Sequence, residues 1–263
     1  MIETSGAPRD QGLDQATALM TEICTSVAAL RGGRGWLAWQ RELGAVRRGS
    51  GRSLSRFAPQ LHERLQGIAG GCRVSVAALE LGESLHRGRV VGAAKGARIE
   101  GTVEATGLDL VLRRSDPDAG GFPSVELTAP VLASALAGVN AEGIAVACAD
   151  DGPPGALSAR VLVQDLLLRV RTFASAIEHL RRRAYYLAPS GALLVAHASG
   201  EAARVELAAG RIHLHEPPAS AGAGDEPRVY LDASSCELGW SGPGFEERAV
   251  AASGRDARPG DGE

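Results

Sequence analysis

Few side chains in this sequence have the type and spacing to do chemistry. Cys148 ends an apolar run, 144–148, with no activating base beside it, and a thiol buried in apolar surroundings is inert. His213-Leu214-His215-Glu216 would place two imidazoles on one face of a strand. Two ligands are too few for zinc, so a solvated or structural role competes with a metal role. Asp150-Asp151 pairs two carboxylates with no further ligand at suitable spacing, which reads as a solvated loop. In Arg113-Arg114-Ser115-Asp116, Asp116 precedes Pro117 and reads either as a turn cap or as a site residue. Arg113 reads as an ion-pair partner of Asp116 or Glu126. Thr102 and Ser115 offer hydroxyls, with no amine or imidazole nearby in sequence to activate them. No cofactor or metal site is expected.

The elements that must position these groups fall into two textures. Residues 1–87 read as mostly helical, with an amphipathic stretch at 13–30 carrying Leu19, Ile23, Val27 and Leu30 on one face. Gly32-Gly33 ends it. A second helix is predicted at 36–46, and a basic glycine-rich break at 47–52. Helices at 57–69 and 76–85 follow, separated by Gly70-Gly71. From Val90 onward, short apolar runs with intervening turn residues predict strands at 102–105, 108–112, 125–127, 131–136 and 144–148. Two helices are predicted at 159–170 and 173–183, and Arg181-Arg182-Arg183 reads as a solvated helix end. Strands return at 192–196, 204–207, 211–214 and 229–231. This order suits an α+β sandwich with helices covering antiparallel sheets.

The chain of 263 residues is long enough for one large core. Its formal charge of −3 offers no broad basic field for phosphate backbones, so nucleic acid is not an expected partner. No apolar run approaches a membrane span, and no basic and apolar leader is visible. The four cysteines, Cys24, Cys72, Cys148 and Cys236, form no CxxC pair, and reduced cytoplasmic thiols are the default.

Three segments resemble one family. Phe57-Ala58-Pro59-Gln60-Leu61-His62-Glu63-Arg64-Leu65-Gln66-Gly67-Ile68-Ala69-Gly70-Gly71, continued by Val74-Ser75 and Leu79, is similar to the propeptide region of the penicillin acyltransferase family. Leu136-Ala137-Gly138-Val139-Asn140-Ala141-Glu142-Gly143-Ile144-Ala145 resembles its glycine-Xaa-asparagine hairpin. Ala192-Leu193-Leu194-Val195-Ala196-His197-Ala198-Ser199-Gly200-Glu201, followed by Glu206, resembles a later strand-turn-strand. The resemblance covers about residues 57–212. It implies the four-layer αββα sandwich of N-terminal-nucleophile hydrolases, with a helical, propeptide-like segment at 1–88, the sandwich at 89–251 and a disordered tail at 252–263.

The resemblance also implies a site. The family cleaves itself before a cysteine, whose freed thiol attacks and whose α-amine serves as base. It places an arginine 16 and an aspartate 19 residues after that nucleophile, and counting back from Arg113 and Asp116 reaches Ala97. Gly96 matches the glycine before the scissile bond. Alanine cannot attack a carbonyl. Where an asparagine would donate to the oxyanion stands Asp150, and a later asparagine position falls near His215. Asn140 reads as the holder of a tight turn. The expectation is therefore a frame without self-cleavage, which binds a small amide or acyl ligand or a partner. An active amide hydrolase or acyltransferase using another nucleophile, with Cys148 as candidate, is the alternative. A scaffold pairing with a homologous subunit, or a homo-oligomer, is a further one.

Overall fold

The computed structural model describes residues 1–86, 88–105, 109–118, 120–150, 152, 158–187, 190–218, 227–242 and 245–251. The tail expected to be disordered, 252–263, lies outside the described residues. The fold is mixed, with helices and two sheets.

The chain opens with a strand, β1 (Ile2–Gly6), and then runs through five helices: α1 (Pro8–Arg31), α2 (Trp36–Arg48), α3 (Ser50–Phe57), α4 (Pro59–Cys72) and α5 (Val76–Leu85). Pro8 and Pro59 each stand in the first turn of their helices, where the missing N–H costs nothing. Ser75 caps α5 through its hydroxyl, which accepts from the Ala78 amide at 3.1 Å. Strands β2 (Gly88–Lys95), β3 (Arg98–Ala105), β4 (Val111–Pro117), β5 (Ser124–Thr128), β6 (Ala137–Asn140) and β7 (Ile144–Asp150) follow. Next come helices α6 (Arg160–Arg169) and α7 (Phe173–Leu187). Strands β8 (Gly191–His197), β9 (Ala202–Ala208), β10 (Arg211–His215), β11 (Arg228–Asp232), β12 (Glu237–Gly242) and β13 (Phe245–Val250) complete the order.

One sheet has eight strands in the order β1-β4-β5-β6-β7-β8-β9-β10, and the other has five in the order β13-β12-β11-β3-β2. They face each other across an apolar core. Leu112, Val125, Val139, Ala147 and Leu194 come from the larger sheet, and Val90, Ile99, Leu231 and Trp240 from the smaller. The opposite face of the larger sheet, with Ile144, Val146, Leu193 and Val205, packs on α6 and α7. The outward side chains of β2 and β3, namely Arg89, Val91, Lys95, Arg98, Glu100 and Glu104, are exposed. Helix cover over described residues is therefore shown for the larger sheet, giving helix, sheet, sheet.

Several sequence expectations change. Strand β1 pairs in parallel with β4, Ile2 opposite Arg113 and Ser5 opposite Asp116, so the first segment contributes an edge strand as well as helices. The basic break at 47–52 is the end of α2 and the start of α3, joined at Gly49. Gly70-Gly71 does not end a helix. Gly71 lies inside α4, where a Cβ would stand 2.5 Å from that of Ala16. Gly12 and Gly67 likewise leave no room for a Cβ against the carbonyls of Arg64 and Arg9. Gly12, Gly67 and Gly71 serve close contact between α1 and α4, not termination.

The expected strand at 131–136 is not a strand. Residues 129–134 form an irregular strap between β5 and β6 in which every side chain is buried. Its apolar run of Val131, Leu132 and Ala133 satisfies the pattern of a buried strand. Its backbone polar groups find side-chain partners instead of a ladder, as buried backbone must. Gln15 donates to the carbonyls of Pro130 and Leu132 at 2.8 and 3.0 Å. The Glu83 carboxylate accepts from the amides of Ala133 and Ser134 at 2.6 and 2.9 Å.

Candidate functional site

Gly96-Ala97 is the two-residue turn of the β2–β3 hairpin, whose closing pair is Lys95 opposite Arg98. Gly96 adopts φ 57°, the left-handed conformation that glycine accepts and that such turns require. Ala97 is half-buried against the core between the sheets, and its carbonyl accepts from Ala233 N–H at 2.9 Å. The carbonyl of Ala233 in turn lies against Gly143, at the β6–β7 turn.

Arg113 points the other way. Its strand neighbour Leu112 faces the core between the sheets, so Arg113 projects from the opposite, helix-covered face. It is fully buried. Its Nε donates to Glu126 Oε2 at 2.7 Å, the directly opposed residue on β5, and its second terminal nitrogen lies 2.5 Å from the same oxygen. The remaining donors reach Gln15 Oε1 at 2.8 Å, the Leu132 carbonyl at 3.2 Å, the Ala133 carbonyl at 2.9 Å and Gln164 Oε1 at 3.0 Å. Of the two pairings read from the sequence, Glu126 is realised. Arg113 thus ties α1, β5, α6 and the strap together.

The same network holds a second buried guanidinium. Arg64 donates to Gln11 Oε1 and, at 3.1 Å, to Ser115 Oγ, and lies 3.7 Å from Glu126. Burial, and then the nearby charge of Arg113, lower the Arg64 pKa to about 9, with Glu126 opposing them. For Glu126, burial alone would raise the carboxyl. Arg113 and Arg64 outweigh it, with hydrogen bonds from Ser124 and Gln164 adding to them, and hold it at about 2. Ser115 shares its hydroxyl with Thr4 at 3.3 Å on this same face. Within this arrangement every nitrogen of the Arg113 guanidinium donates to a protein acceptor.

The other positions lie apart from Ala97. Asp116 is exposed at the end of β4. Asp150 is at the far end of β7 from the turn that adjoins Ala233, six residues along a strand and so about 20 Å away. It accepts from Gly152 N–H at 3.0 Å. Cys148 is fully buried among Val146, Leu162 and Leu193 on the helix side. His215 is exposed on the edge strand β10, with Nε2 3.2 Å from Glu206. Thr102 alternates outward from the core, its hydroxyl 3.4 Å from the Val91 carbonyl. Asn140 holds its turn as expected, accepting from Glu142 and Ile144 amides at 3.1 and 3.0 Å while donating to Leu167 and Val170 carbonyls. Among the described residues, no group of three or more His, Cys, Asp or Glu side chains could hold a metal.

Sequence reasoning passed over another buried carboxylate. Asp165 lies 2.7 Å from His179 Nε2 and from Arg183 Nε, and accepts from Gln60 Nε2 at 2.8 Å. Burial raises its pKa, but His179, Arg183 and Arg169 together leave it lowered. Arg183 also donates to the Phe57 carbonyl at 2.9 Å. The basic run at 181–183 is therefore split: Arg181 and Arg182 face Glu178 at the surface, while Arg183 turns inward. An acidic residue on the buried face of α6 was the available signal.

No family model and no curated protein matches this sequence. Among the described residues, no helix is long and apolar enough to cross a membrane.

Proposed function

We propose that the chain is a diverged relative of the penicillin acyltransferase family, built on an N-terminal-nucleophile hydrolase frame. It does not cut itself and acts by binding a ligand or partner. The observation that carries this reading is the β2–β3 hairpin. At the address where the family would break its chain stands a closed turn with Ala97, on the opposite side of the larger sheet from the Arg113 side chain. Two facing sheets, with helices behind the larger, support the frame. Cleavage at Gly96–Ala97 would need a nucleophile and a donor for the developing oxyanion. Ala97 provides no nucleophile. Arg113, fully engaged with five protein acceptors, provides no donor.

Intact mass after purification tests this. One chain of 27.1 kDa is expected. Two fragments parted at Gly96–Ala97 would overturn the reading. Ala97→Cys sharpens the test, because restoring the thiol leaves the hairpin and Arg113 unchanged. That variant is expected to remain whole, and its cleavage would mean that the site lacks only its nucleophile.

A further inference from the structure

A cavity of about 430 Å³ opens among α2, α3, α4 and α5, within the usual range for small-molecule sites. Its lining combines three basic side chains, Arg47, Arg52 and His62, with the carboxyl of Glu80. Glu80 is only 3% exposed. His62 Nδ1 lies 3.3 Å from Glu80 Oε1, inside ion-pair reach, yet that buried nitrogen makes no hydrogen bond. Neither Arg47 nor Arg52 forms an ion pair within 4 Å among the described residues. Val76 and Ala77 complete the wall, and their amides are the first two of α5, outside its hydrogen-bond ladder. Positive partial charge therefore converges with two guanidinium forks and an imidazole around one space.

Three cationic or cationisable side chains against one carboxyl leave an excess of positive charge. A cationic ligand would meet Arg47 and Arg52 at the mouth. An oxyanion meets donors on several sides, the combination that holds phosphate and carboxylate groups at helix N-termini. Burial pushes the Glu80 carboxyl up from its ordinary range, with His62 and then Arg47 pulling the other way.

We propose that this cavity binds a small oxyanion-bearing molecule, a carboxylate or a phosphate ester. Arg47, Arg52 and the N-terminus of α5 would hold the anionic group, with Glu80 and His62 beneath it. The proposal rests on residues separate from Ala97 and Arg113 and does not depend on the reading given for them.

The test is an amide-resolved NMR titration of the full chain with sodium phosphate and, separately, sodium acetate, against sodium chloride at matched ionic strength. Saturable shifts at millimolar phosphate or acetate, confined to the amides of α3, α4 and the start of α5, are the expected result. Which anion saturates first assigns phosphate or carboxylate. Arg47→Gln with Arg52→Gln, both at exposed positions, is expected to weaken that binding at least tenfold with the spectrum otherwise retained. Glu80→Gln is expected to leave binding equal or tighter, since it removes a competing charge without changing shape. Shifts that never saturate for either anion, or that saturate equally in the double arginine variant, overturn the proposal. So does a tenfold loss in Glu80→Gln, which would mark a site for a cation.

Discussion

Arg113→Met removes a guanidinium that makes five hydrogen bonds in a fully buried setting. Two consequences follow. The Ala133 carbonyl loses the side-chain donor that satisfies it within the buried strap. Glu126 loses its nearest cation and keeps Arg64 at 3.7 Å. Breaking a buried pair from one side costs roughly 3–5 kcal/mol, and the residual Arg64 favours the lower end, about 3 kcal/mol. For a chain of this size that lowers the melting temperature by roughly 6–12 °C. Urea unfolding followed by far-ultraviolet circular dichroism measures the free-energy loss, with an unchanged m value confirming that stability alone moved. In a double-mutant cycle, Glu126→Gln should cost a similar amount, and the pair together less than the sum by about 0.5–3 kcal/mol. The sign of the pH dependence is fixed independently. Glu126 has a folded pKa of about 2 against an ordinary 4.5, so its contribution is complete above 4.5 and is lost as pH falls toward 2. That contribution is roughly 3 kcal/mol. In Arg113→Met the acid transition should move to higher pH. A residue kept only as a relic of a dismantled site would be neutral or stabilising to remove. A cost below about 1 kcal/mol, with additive behaviour in the cycle, would refute the structural role assigned to Arg113.

Three further outcomes are expected. Cys72 is buried beside Cys24, and burial, then the neighbouring thiol, push its pKa to about 11, so it should resist iodoacetamide at pH 8 until the protein is unfolded. Mass mapping of alkylated peptides checks this, and native-state labelling of Cys72 as fast as in urea would contradict its burial. Gly67→Ala drives a methyl into the Arg9 carbonyl at the α1–α4 contact and should cost about 1–3 kcal/mol by urea unfolding. By contrast Gly70→Ala, whose Cβ would meet nothing within 4 Å, should be stabilising by up to about 1 kcal/mol on helix propensity.

Periodicity found most elements because their faces are simple. The 192–196 and 204–207 strands alternate or bury cleanly, and α6 and α7 fall within a few residues of their predicted ends. The failures have local causes. Strand β1 is five residues long, and its Thr4 and Ser5 carry no apolar pattern, because its role is polar: Thr4 meets Ser115 and the Arg114 carbonyl. The segment 131–136, expected as a strand, misleads because composition reports burial, and burial without a ladder looks the same in one dimension. Its true signals are remote in sequence: Gln15 on α1 and Glu83 on α5, polar residues on otherwise buried helix faces. Gly70 and Gly71 read alike as breakers, and only the partner helix distinguishes the contact-forming Gly71 from the free Gly70.

The spacing of 16 and 19 residues is a statement about sequence, and strand geometry limits what it can assemble. Neighbouring strand residues face opposite sides, so a side chain at 113 and its neighbour at 114 cannot serve the same space. With Leu112 committed to the core between the sheets, Arg113 is committed to the helices. Once there, it meets a buried strap with carbonyls to satisfy and a carboxylate on the facing strand. A long, charged donor satisfies both there, and removing it would leave both unmet. Arg113 therefore has a structural role that needs no substrate. Arg47 and Arg52, exposed over the helical cavity, are not spent on the interior. Substitution at those two should alter anion binding with little change in urea midpoint, whereas substitution at Arg113 should do the reverse. An anion titration and an unfolding curve on each variant would separate the two roles, and a shared response to both would break the distinction drawn between them.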